Sequence, residues 1–455
     1  MELVEKILLN LEFADVSACN LVCRQWKQLI ENFHLQARCF FHQYHHTSPF
    51  SLASLTKSYQ LSIRRNLEDF SEEGKELVEQ LDKLIEHRYF KEILCLLKAK
   101  LLTETNAFTC ENISTFMHAK SVNNASFSPN GRYAVTASDD NTAKILELFD
   151  TGRWQVIDTI EHDDRVIHSI FSSGGTSIMT ASFDATVKIS EFVDGGWQNK
   201  GTFKNVAPMK SANFSSDGTR LVIACGTTVR TYNLTDDGTW KVSETIHPTD
   251  LVKKVVFSPD GKHLATVCFN FKVQIFELVV GGWKLKATIQ HSMCVNNVNF
   301  SSDGRFAVTA SDDNTAKIVE NVKEEWQEKH TILHTNKVTS AVFSTYRNHL
   351  VTVSYDKEAK VLGLTKGNWE LKGVIQFFGG VKSVNFSRNG TLFVATSNDN
   401  TIKIVGLIKG KWQTKATIYY TGRGCVMSAN LSSDGYRLVT AFSDKQVKIW
   451  KLKKL

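Results

Sequence analysis

Proline is scarce in this chain, with 5 among 455 residues, and no stretch approaches 18 consecutive uncharged apolar residues. The first absence excludes collagen-like and proline-rich disordered architectures. The second excludes a membrane-spanning helix, which needs roughly 18 such residues. With 42% hydrophobic and 22% charged residues, the chain has the composition of a globular protein with a sizeable core. Its length predicts two to four domains, or one repeat architecture beside a smaller domain.

Paired cysteines and a secretory signal are also missing. The nine cysteines are odd in number and scattered, with no Cys-x-x-Cys pair. The N-terminus, which opens Met1-Glu2-Leu3, lacks the basic-then-apolar order of a secretory signal. We therefore expect a reduced, intracellular protein whose buried thiols behave as small hydrophobic groups.

The net charge of +7 is unevenly distributed along the chain. Residues 1–111 carry 13 basic and 16 acidic side chains, which leaves 41 basic and 31 acidic ones for residues 112–455. A basic C-terminal part can attract phosphate, acidic peptide or nucleic acid, or it can be a solvated lysine-rich surface. The absence of a basic run or an arginine–aromatic cluster argues against nucleic acid.

A 43-residue period organises the C-terminal part. A tryptophan recurs every 43 residues, and a Phe-Ser landmark recurs at nearly the same interval, with leucine in its eighth place. The tryptophans are Trp154, Trp197, Trp240, Trp283, Trp326, Trp369 and Trp412, and the landmarks are Phe127, Phe171, Phe214, Phe257, Phe300, Phe343, Phe386 and Leu431. The segments 134–145 and 307–318 are identical, AVTASDDNTAKI, which indicates duplication of a block of repeats.

Each period predicts four short strands. A β-branched run such as 295–300 ends in Asp303-Gly304, and an Asp-Gly or Asn-Gly turn recurs in most periods. Such a pair between apolar residues is a strong hairpin signal, since glycine accepts the positive φ of a tight turn. A second strand at 306–310, a third at 316–319 and a fourth that starts at the periodic tryptophan complete the unit. We expect this tryptophan to cover the outer rim. Repeats of four strands predict propeller blades.

The number of blades follows from the ends of the repeat region. There are eight sets of first, second and third strands, but only five residues follow Trp450, so the eighth set lacks a fourth strand. Residues 112–118 resemble the ends of fourth strands and precede the first set. The sequence therefore predicts a mainly β, eight-bladed propeller over 112–455, closed by pairing of its two ends, which removes an exposed edge.

The repeat resembles the WD repeat, which combines a histidine before the first strand, an S-x-D-x-T turn and a closing tryptophan. A histidine stands 22 residues before a turn aspartate in His118/Asp140, His162/Asp184, His291/Asp313 and His334/Asp356. The carboxylate needs donors when buried, and the imidazole can supply one. The third blade has Asn205 and Gly226 at these places, so both partners are lost together, and the closing tryptophan survives only as Trp450.

The first 35 residues have a helical period and resemble the F-box. Apolar residues recur at helical spacing, and Leu21-Val22-Cys23-Arg24-x-Trp26 is the most recognisable part of the resemblance. The family's usual opening Leu-Pro is absent. The resemblance implies docking onto a Skp-type adaptor, which joins a cullin–RING ubiquitin ligase. It implies these adaptor-binding residues, although some can instead be internal core of the module: Leu3, Ile7, Leu8, Leu11, Val16, Leu21, Val22, Cys23 and Trp26.

Residues 36–111 predict a helical linker. Ser71 is a candidate N-cap with Glu72 and Glu73 in the first turn, and an apolar stripe continues to about residue 102. The group Cys39, His42, His45 and His46 fits no standard zinc spacing, so we expect no metal there and no cofactor elsewhere.

The substrate-binding residues are predicted on the propeller rim that carries the starts of the first strands and the turns between second and third strands. In related F-box propellers, arginines at these positions bind phosphorylated segments. This sequence has no arginine at either set of positions. The aromatic and basic residues found there can instead form a patch that binds a peptide, or they can be ordinary packing residues. The candidates are Lys210, Lys253, Lys382, Phe183, Phe269 and Tyr355.

The resemblance implies a non-catalytic substrate receptor of an SCF-type (Skp–cullin–F-box) ligase. A scaffold for protein–protein interaction without a ligase role is the alternative. An enzyme is disfavoured because no nucleophile elbow, carboxylate pair or metal ligand set stands outside the repeats. The expected location is cytoplasmic or nuclear, or the host cytosol if the source is an intracellular bacterium. The substrate stays open, and no membrane partner is expected.

Overall fold

The described part of the protein is built from strands alone. A computed structural model describes residues 108–454, except 206, 208, 346–348 and 409. These residues form 32 strands in eight four-stranded sheets, so the predicted eight-bladed propeller is confirmed. Across the described ranges no helix is long and apolar enough to cross a bilayer.

The blades follow one another in chain order. Blades 1 to 4 comprise β2 (Val122–Phe127), β3 (Tyr133–Ser138), β4 (Thr142–Leu148) and β5 (Trp154–Glu161); β6 (Val166–Phe171), β7 (Ser177–Ser182), β8 (Thr186–Val193) and β9 (Gly196–Lys204); β10 (Met209–Phe214), β11 (Arg220–Cys225), β12 (Thr228–Leu234) and β13 (Trp240–Ile246); and β14 (Val252–Phe257), β15 (His263–Cys268), β16 (Lys272–Val279) and β17 (Gly282–Gln290). Blades 5 to 7 comprise β18 (Val295–Phe300), β19 (Phe306–Ser311), β20 (Thr315–Val322) and β21 (Glu325–Leu333); β22 (Val338–Phe343), β23 (His349–Ser354), β24 (Glu358–Thr365) and β25 (Asn368–Gln376); and β26 (Val381–Phe386), β27 (Leu392–Ser397), β28 (Thr401–Ile408) and β29 (Lys411–Tyr419). Blade 8 comprises β30 (Val426–Leu431), β31 (Arg437–Phe442), β32 (Gln446–Lys454) and, from the other end of the described chain, β1 (Phe108–Met117).

Blade 8 closes the ring, as the sequence predicts. Strand β1 pairs antiparallel with β32, from Phe108 opposite Lys454 to Met117 opposite Gln446, with a bulge between Asn112 and Ser114. The strand begins four residues before the predicted segment. It also contributes side chains to two of the apolar cores between blades, so its removal would expose core as well as backbone.

The turn between first and second strands is fixed by the side chains that follow the Phe-Ser landmark. In blade 5 the Ser301 hydroxyl donates to an Asp303 oxygen at 2.5 Å, and the Arg305 amide donates to the same oxygen at 3.0 Å. Gly304 has φ +71°, a conformation that glycine adopts without strain. The short Asp-Gly signal in the sequence therefore specifies this turn locally.

The periodic tryptophans lie deeper than the sequence suggests. Trp154, Trp369 and Trp412 are 4–7% exposed, so they do not merely cover the outer rim. The Trp369 ring packs 5.6 Å from that of Phe343 in its own blade and 5.5 Å from that of Phe306 in the preceding blade. Each indole thus fills a space between two neighbouring sheets, which an edge-strand position does not reveal.

The first strands form the innermost ring of the propeller. Strand β10 contacts β14, β14 contacts β18 and β18 contacts β22, which places these strands around a central channel. In every blade the pairing between first and second strands shifts after the opening residue of the first strand. Such a bulge re-aims successive side chains. Amides also link neighbouring blades, as when Asn430 Nδ2 donates to the Ala125 carbonyl at 2.7 Å between blades 8 and 1.

Candidate partner-binding surface

One face of the propeller, here called the upper face, carries the loops that lead into the first strands and the turns between second and third strands. A histidine–aspartate pair joins loop to turn in four blades, as predicted. In blade 5, His291 Nδ1 lies 2.8 Å from Asp313 Oδ2, and its Nε2 lies 2.7 Å from Thr309 Oγ1. The other pairs have Nδ1–Oδ2 distances of 2.7–3.0 Å: His118/Asp140, His162/Asp184 and His334/Asp356.

Each turn aspartate collects several donors at once. Asp313 accepts from the Ser292 amide at 3.1 Å, from the Thr315 amide at 3.0 Å and from Thr315 Oγ1 at 2.6 Å. Burial alone would raise the pKa of Asp313, but the Thr315 hydroxyl and His291 outweigh it and hold the pKa at about 2. Burial lowers the pKa of His291 itself. The framework therefore holds the loops rigidly, and these groups serve the blade architecture.

A lysine cap accompanies the same turn and was not foreseen from the sequence. The lysine two residues after the last position of the S-x-D-x-T turn donates to a backbone carbonyl 27 residues earlier. The caps are Lys144 to Met117, Lys188 to Glu161, Lys317 to Gln290, Lys360 to Leu333 and Lys403 to Gln376, at 2.5–3.1 Å. The recurring T-x-K was a visible signal for it.

Four blades depart from the histidine–aspartate pattern. In blade 3, Arg230 Nη1 donates to Asn205 Oδ1 at 3.4 Å, and the turn is one residue shorter, so both partners are indeed replaced together. In blade 4, Gln274 Oε1 accepts from the Thr249 amide at 3.0 Å. Blade 7 has Phe377 in the histidine's place, and in blade 8 the Tyr420 hydroxyl donates to an Asp444 carboxylate oxygen.

Blade 6 brings together the one histidine–carboxylate group of metal-ligating type found in the described ranges. Ligand atoms of His334, Asp356 and Glu358 lie within 4.8 Å of one another. His334 is already bonded to Asp356, and Glu358 Oε1 accepts from Gln376 Nε2 at 2.9 Å. The group is thus accounted for by the blade framework. The residues at 39–46 lie outside the described residues.

Two of the predicted substrate-binding residues meet on blades 2 and 3. The Lys210 ammonium lies 5.3 Å from the centre of the Phe183 ring. The guanidinium of exposed Arg165, which sequence reasoning missed, lies 3.8 Å from the same centre. The arginine precedes the first strand, so it belongs to neither set of rim positions compared in the sequence. This group of three, here called the cationic cluster, presents two cations on one aromatic ring.

Phe269 lies in an exposed apolar patch on blades 4 and 5. The Phe269 amide donates to the Leu251 carbonyl, and the His291 amide donates to the carbonyl of Phe271. Leu251, Phe269, Phe271 and Met293 are each 41–49% exposed, and we call them the apolar patch. Phe271 has φ +66°, where the matching turn residue of other blades is often asparagine. A positive φ recurs at this turn position in other blades, for example at Ala185 and Lys357, so it belongs to the blade geometry, and a bulky residue is unusual there.

The remaining predicted residues have different surroundings. The Lys253 ammonium donates to the Val295 carbonyl at 3.2 Å and to Asn296 Oδ1 at 3.0 Å, so it holds blade 5 in place. Tyr355 packs on Gly380, where a Cβ would lie 2.5 Å from the ring. Lys382 is half-buried. The structure thus groups Phe183 with Lys210, and it places Lys253 in a structural contact.

The predicted adaptor-binding residues lie outside the described residues. These are Leu3, Ile7, Leu8, Leu11, Val16, Leu21, Val22, Cys23 and Trp26.

Comparison with known proteins agrees with both parts of the chain. The sequence matches the F-box domain family over residues 1–37. It matches the family "WD domain, G-beta repeat" over residues 110–146, 239–277, 283–320, 326–361, 371–405 and 413–451. Residues 147–238, which hold β5, blade 2 and the first three strands of blade 3, fall outside the matched segments, yet blades 1 to 3 have the same four strands as the others.

Solved structures share the fold at low identity. The C-terminal WD40 domain of Sif2 is 14% identical, covers 76% of this chain and 99% of its own, and has a TM-score of 0.65. Sqt1 from Chaetomium thermophilum is 15% identical, with 75% and 98% covered and a TM-score of 0.66. Sqt1 from Saccharomyces cerevisiae is 12% identical, with 76% and 99% covered and a TM-score of 0.64. A search of curated proteins returned no significant match. Since an F-box and WD repeats occur in one chain, the protein belongs to the F-box/WD-repeat proteins.

Proposed function

We propose that this protein is the substrate-recognition subunit of an SCF-type ubiquitin ligase. The observation that carries the proposal is the joining of an F-box at residues 1–37 to a closed propeller with an exposed upper face. The F-box docks a Skp-type adaptor, and the propeller binds a protein substrate. The chain supplies no catalytic residue, because its role is to raise the effective concentration of a substrate lysine near the conjugating enzyme.

The upper face favours a substrate segment with both acidic and apolar side chains. The cationic cluster offers an arginine fork beside a lysine, and a guanidinium can bind a carboxylate or phosphate through two hydrogen bonds. The apolar patch two blades away offers aromatic anchors of the kind that dominate binding energy at interfaces. Recognition of a terminal segment has a parallel in the fold, since Sqt1 has been solved with the N-terminus of a ribosomal protein bound.

Adaptor binding is tested by co-purification. The full chain, Trp26→Ala and a deletion of residues 1–30 are each expressed with a tagged Skp-type adaptor. We expect retention of the full chain and loss of both variants. Equal recovery of all three would refute the ligase role and leave the scaffold as the function.

Substrate binding is tested by affinity purification with mass spectrometry. The proteins captured by the full chain are compared with those captured by Arg165→Glu, by the pair Lys210→Ala and Phe269→Ala, and by Tyr436→Ala. Tyr436 is 59% exposed and follows the Asp434-Gly435 turn, on the side opposite the upper face, so it is the matched control. We expect the upper-face variants to lose a shared set of partners while still binding the adaptor. Retention of every partner by both variants would remove these residues from the substrate site.

A further inference from the structure

The first strands bear charges of one sign only. Their side chains include four lysines and one histidine and no carboxylate: His168, Lys210, Lys253, Lys254 and Lys382. These strands surround the central channel. A passage with low-dielectric walls and one sign of charge concentrates the field along it and attracts counter-ions.

Among these basic residues, Lys254 lies in the middle of its strand. It follows the bulge of β14, and its neighbours Val252 and Val255 are completely buried. Lys254 is partly exposed, and its strand is one of those that surround the channel. Its ammonium donates to Asn297 Oδ1 on the next blade, and Asn297 Nδ2 in turn donates to Ser340 Oγ at 2.8 Å. The lysine therefore has a neutral partner and no carboxylate.

A second basic group occupies the corresponding position of β6. The His168 side chain makes no hydrogen bond to the residues that the structure describes, and His168 also follows a bulge. Ser211, on the blade between, occupies the matching place. Burial and then the charge of Lys254 lower the pKa of His168 to about 4, so the ammonium of Lys254 acts electrostatically on the imidazole. Burial and then Lys253 lower the pKa of Lys254 to about 8.

We propose that the central channel binds a small tetrahedral oxyanion, sulfate or phosphate, between Lys254 and His168. A charge held partly out of water is costly unless it is paired, and the described residues give Lys254 no opposite charge. Donors on separate blades call for an acceptor with several oxygens, which a tetrahedral oxyanion provides. A bound anion also ties three blades together. The proposal does not depend on the ligase role.

The test uses the full chain and isothermal titration with sulfate, which does not itself titrate near pH 8. We expect saturable binding with about one site, and binding weakened at least about tenfold in Lys254→Met. The matched control is Lys403→Met, which removes another partly desolvated lysine whose ammonium caps the Gln376 carbonyl, away from the first strands. Chloride at equal ionic strength controls for screening.

Proton uptake provides a readout that a structural defect would not mimic. An anion beside Lys254 favours the ammonium form, so binding at pH 8 should take up roughly half a proton. Titrations in two buffers with different ionisation enthalpies measure this uptake, and Lys254→Met should abolish it. Phosphate should compete with sulfate. Absence of saturable binding, equal affinity in Lys254→Met, or the same response to chloride would each overturn the proposal.

Discussion

The identical segments at 134–145 and 307–318 allow one substitution to be tested twice in a single chain. Asp313→Ala removes the acceptor for His291, Ser292 and Thr315, and Asp140→Ala removes the same contacts in blade 1. Both carboxylates are 8% exposed and have a pKa of about 2 against an ordinary 3.8. That difference corresponds to about 2 kcal/mol of stability at neutral pH.

The loss of stability caused by each substitution should be slightly larger than this, since the groups that donate to the carboxylate are left without an acceptor. Counting the stranded amide and hydroxyl groups, we expect each substitution to lower the free energy of unfolding by about 3 kcal/mol. For a domain of about 340 residues this lowers Tm by roughly 4 °C. The assay is thermal and urea unfolding followed by tryptophan fluorescence. The control is Asp163→Ala, an exposed carboxylate, which should change the free energy by less than about 0.5 kcal/mol. Losses below about 1 kcal/mol, or losses that differ widely between Asp140 and Asp313, would refute the reasoning.

Three further predictions concern closure, strain and pH. Deletion of residues 1–107 should leave a monomeric propeller in size-exclusion chromatography, whereas deletion of 1–117 removes β1 and should produce aggregates; two equally monomeric proteins would contradict the closure argument. Phe271→Asn should raise the free energy of unfolding by about 1 kcal/mol in urea denaturation, because asparagine tolerates φ +66° better, with Phe269→Asn as a control that should give no gain. Burial lowers the pKa of the four paired histidines, so unfolding takes up protons below about pH 6.5. Their stabilising contribution should be complete above that pH and should decline from pH 6.5 to 5, seen as a falling Tm; a flat profile would contradict it.

The architecture was predictable because the relevant signals are local and repeated. The Asp303-Gly304 turn is specified within five residues, and each histidine–aspartate pair lies at a fixed spacing of 22. Because the unit repeats every 43 residues, the strands predicted for one blade apply to all eight. The extra strand before the first set and the missing strand after the last set predict the closure by β1. None of these inferences required knowledge of contacts between blades.

The candidate binding surface was less predictable, because the residues that meet there lie in different blades. Lys253 was predicted at the substrate site, and the structure shows its ammonium donating to the carbonyl of Val295 in blade 5, a contact 42 residues away along the chain. Arg165 was missed, although it stacks on Phe183, since the two rim positions compared in each blade do not include the residue before the first strand. The positive φ of Phe271 could have been anticipated, because Asn314, a residue type that tolerates positive φ, occupies the matching place in the duplicated turn.

The closure of blade 8 also sets an order of events during synthesis. About 330 residues separate the end of β1 from the start of β32. At roughly 5 to 20 residues per second, β1 leaves the ribosome some 15 to 65 s before its pairing partner exists. Through that interval Cys110 lacks the blade 7 and blade 8 residues of its core, and Ile113 and Phe116 have only the blade 1 side of theirs. A newly made chain therefore exposes the unpaired strand β1 and its apolar side chains until the last blade has been synthesised. Chaperone binding during this period would protect the chain from aggregation.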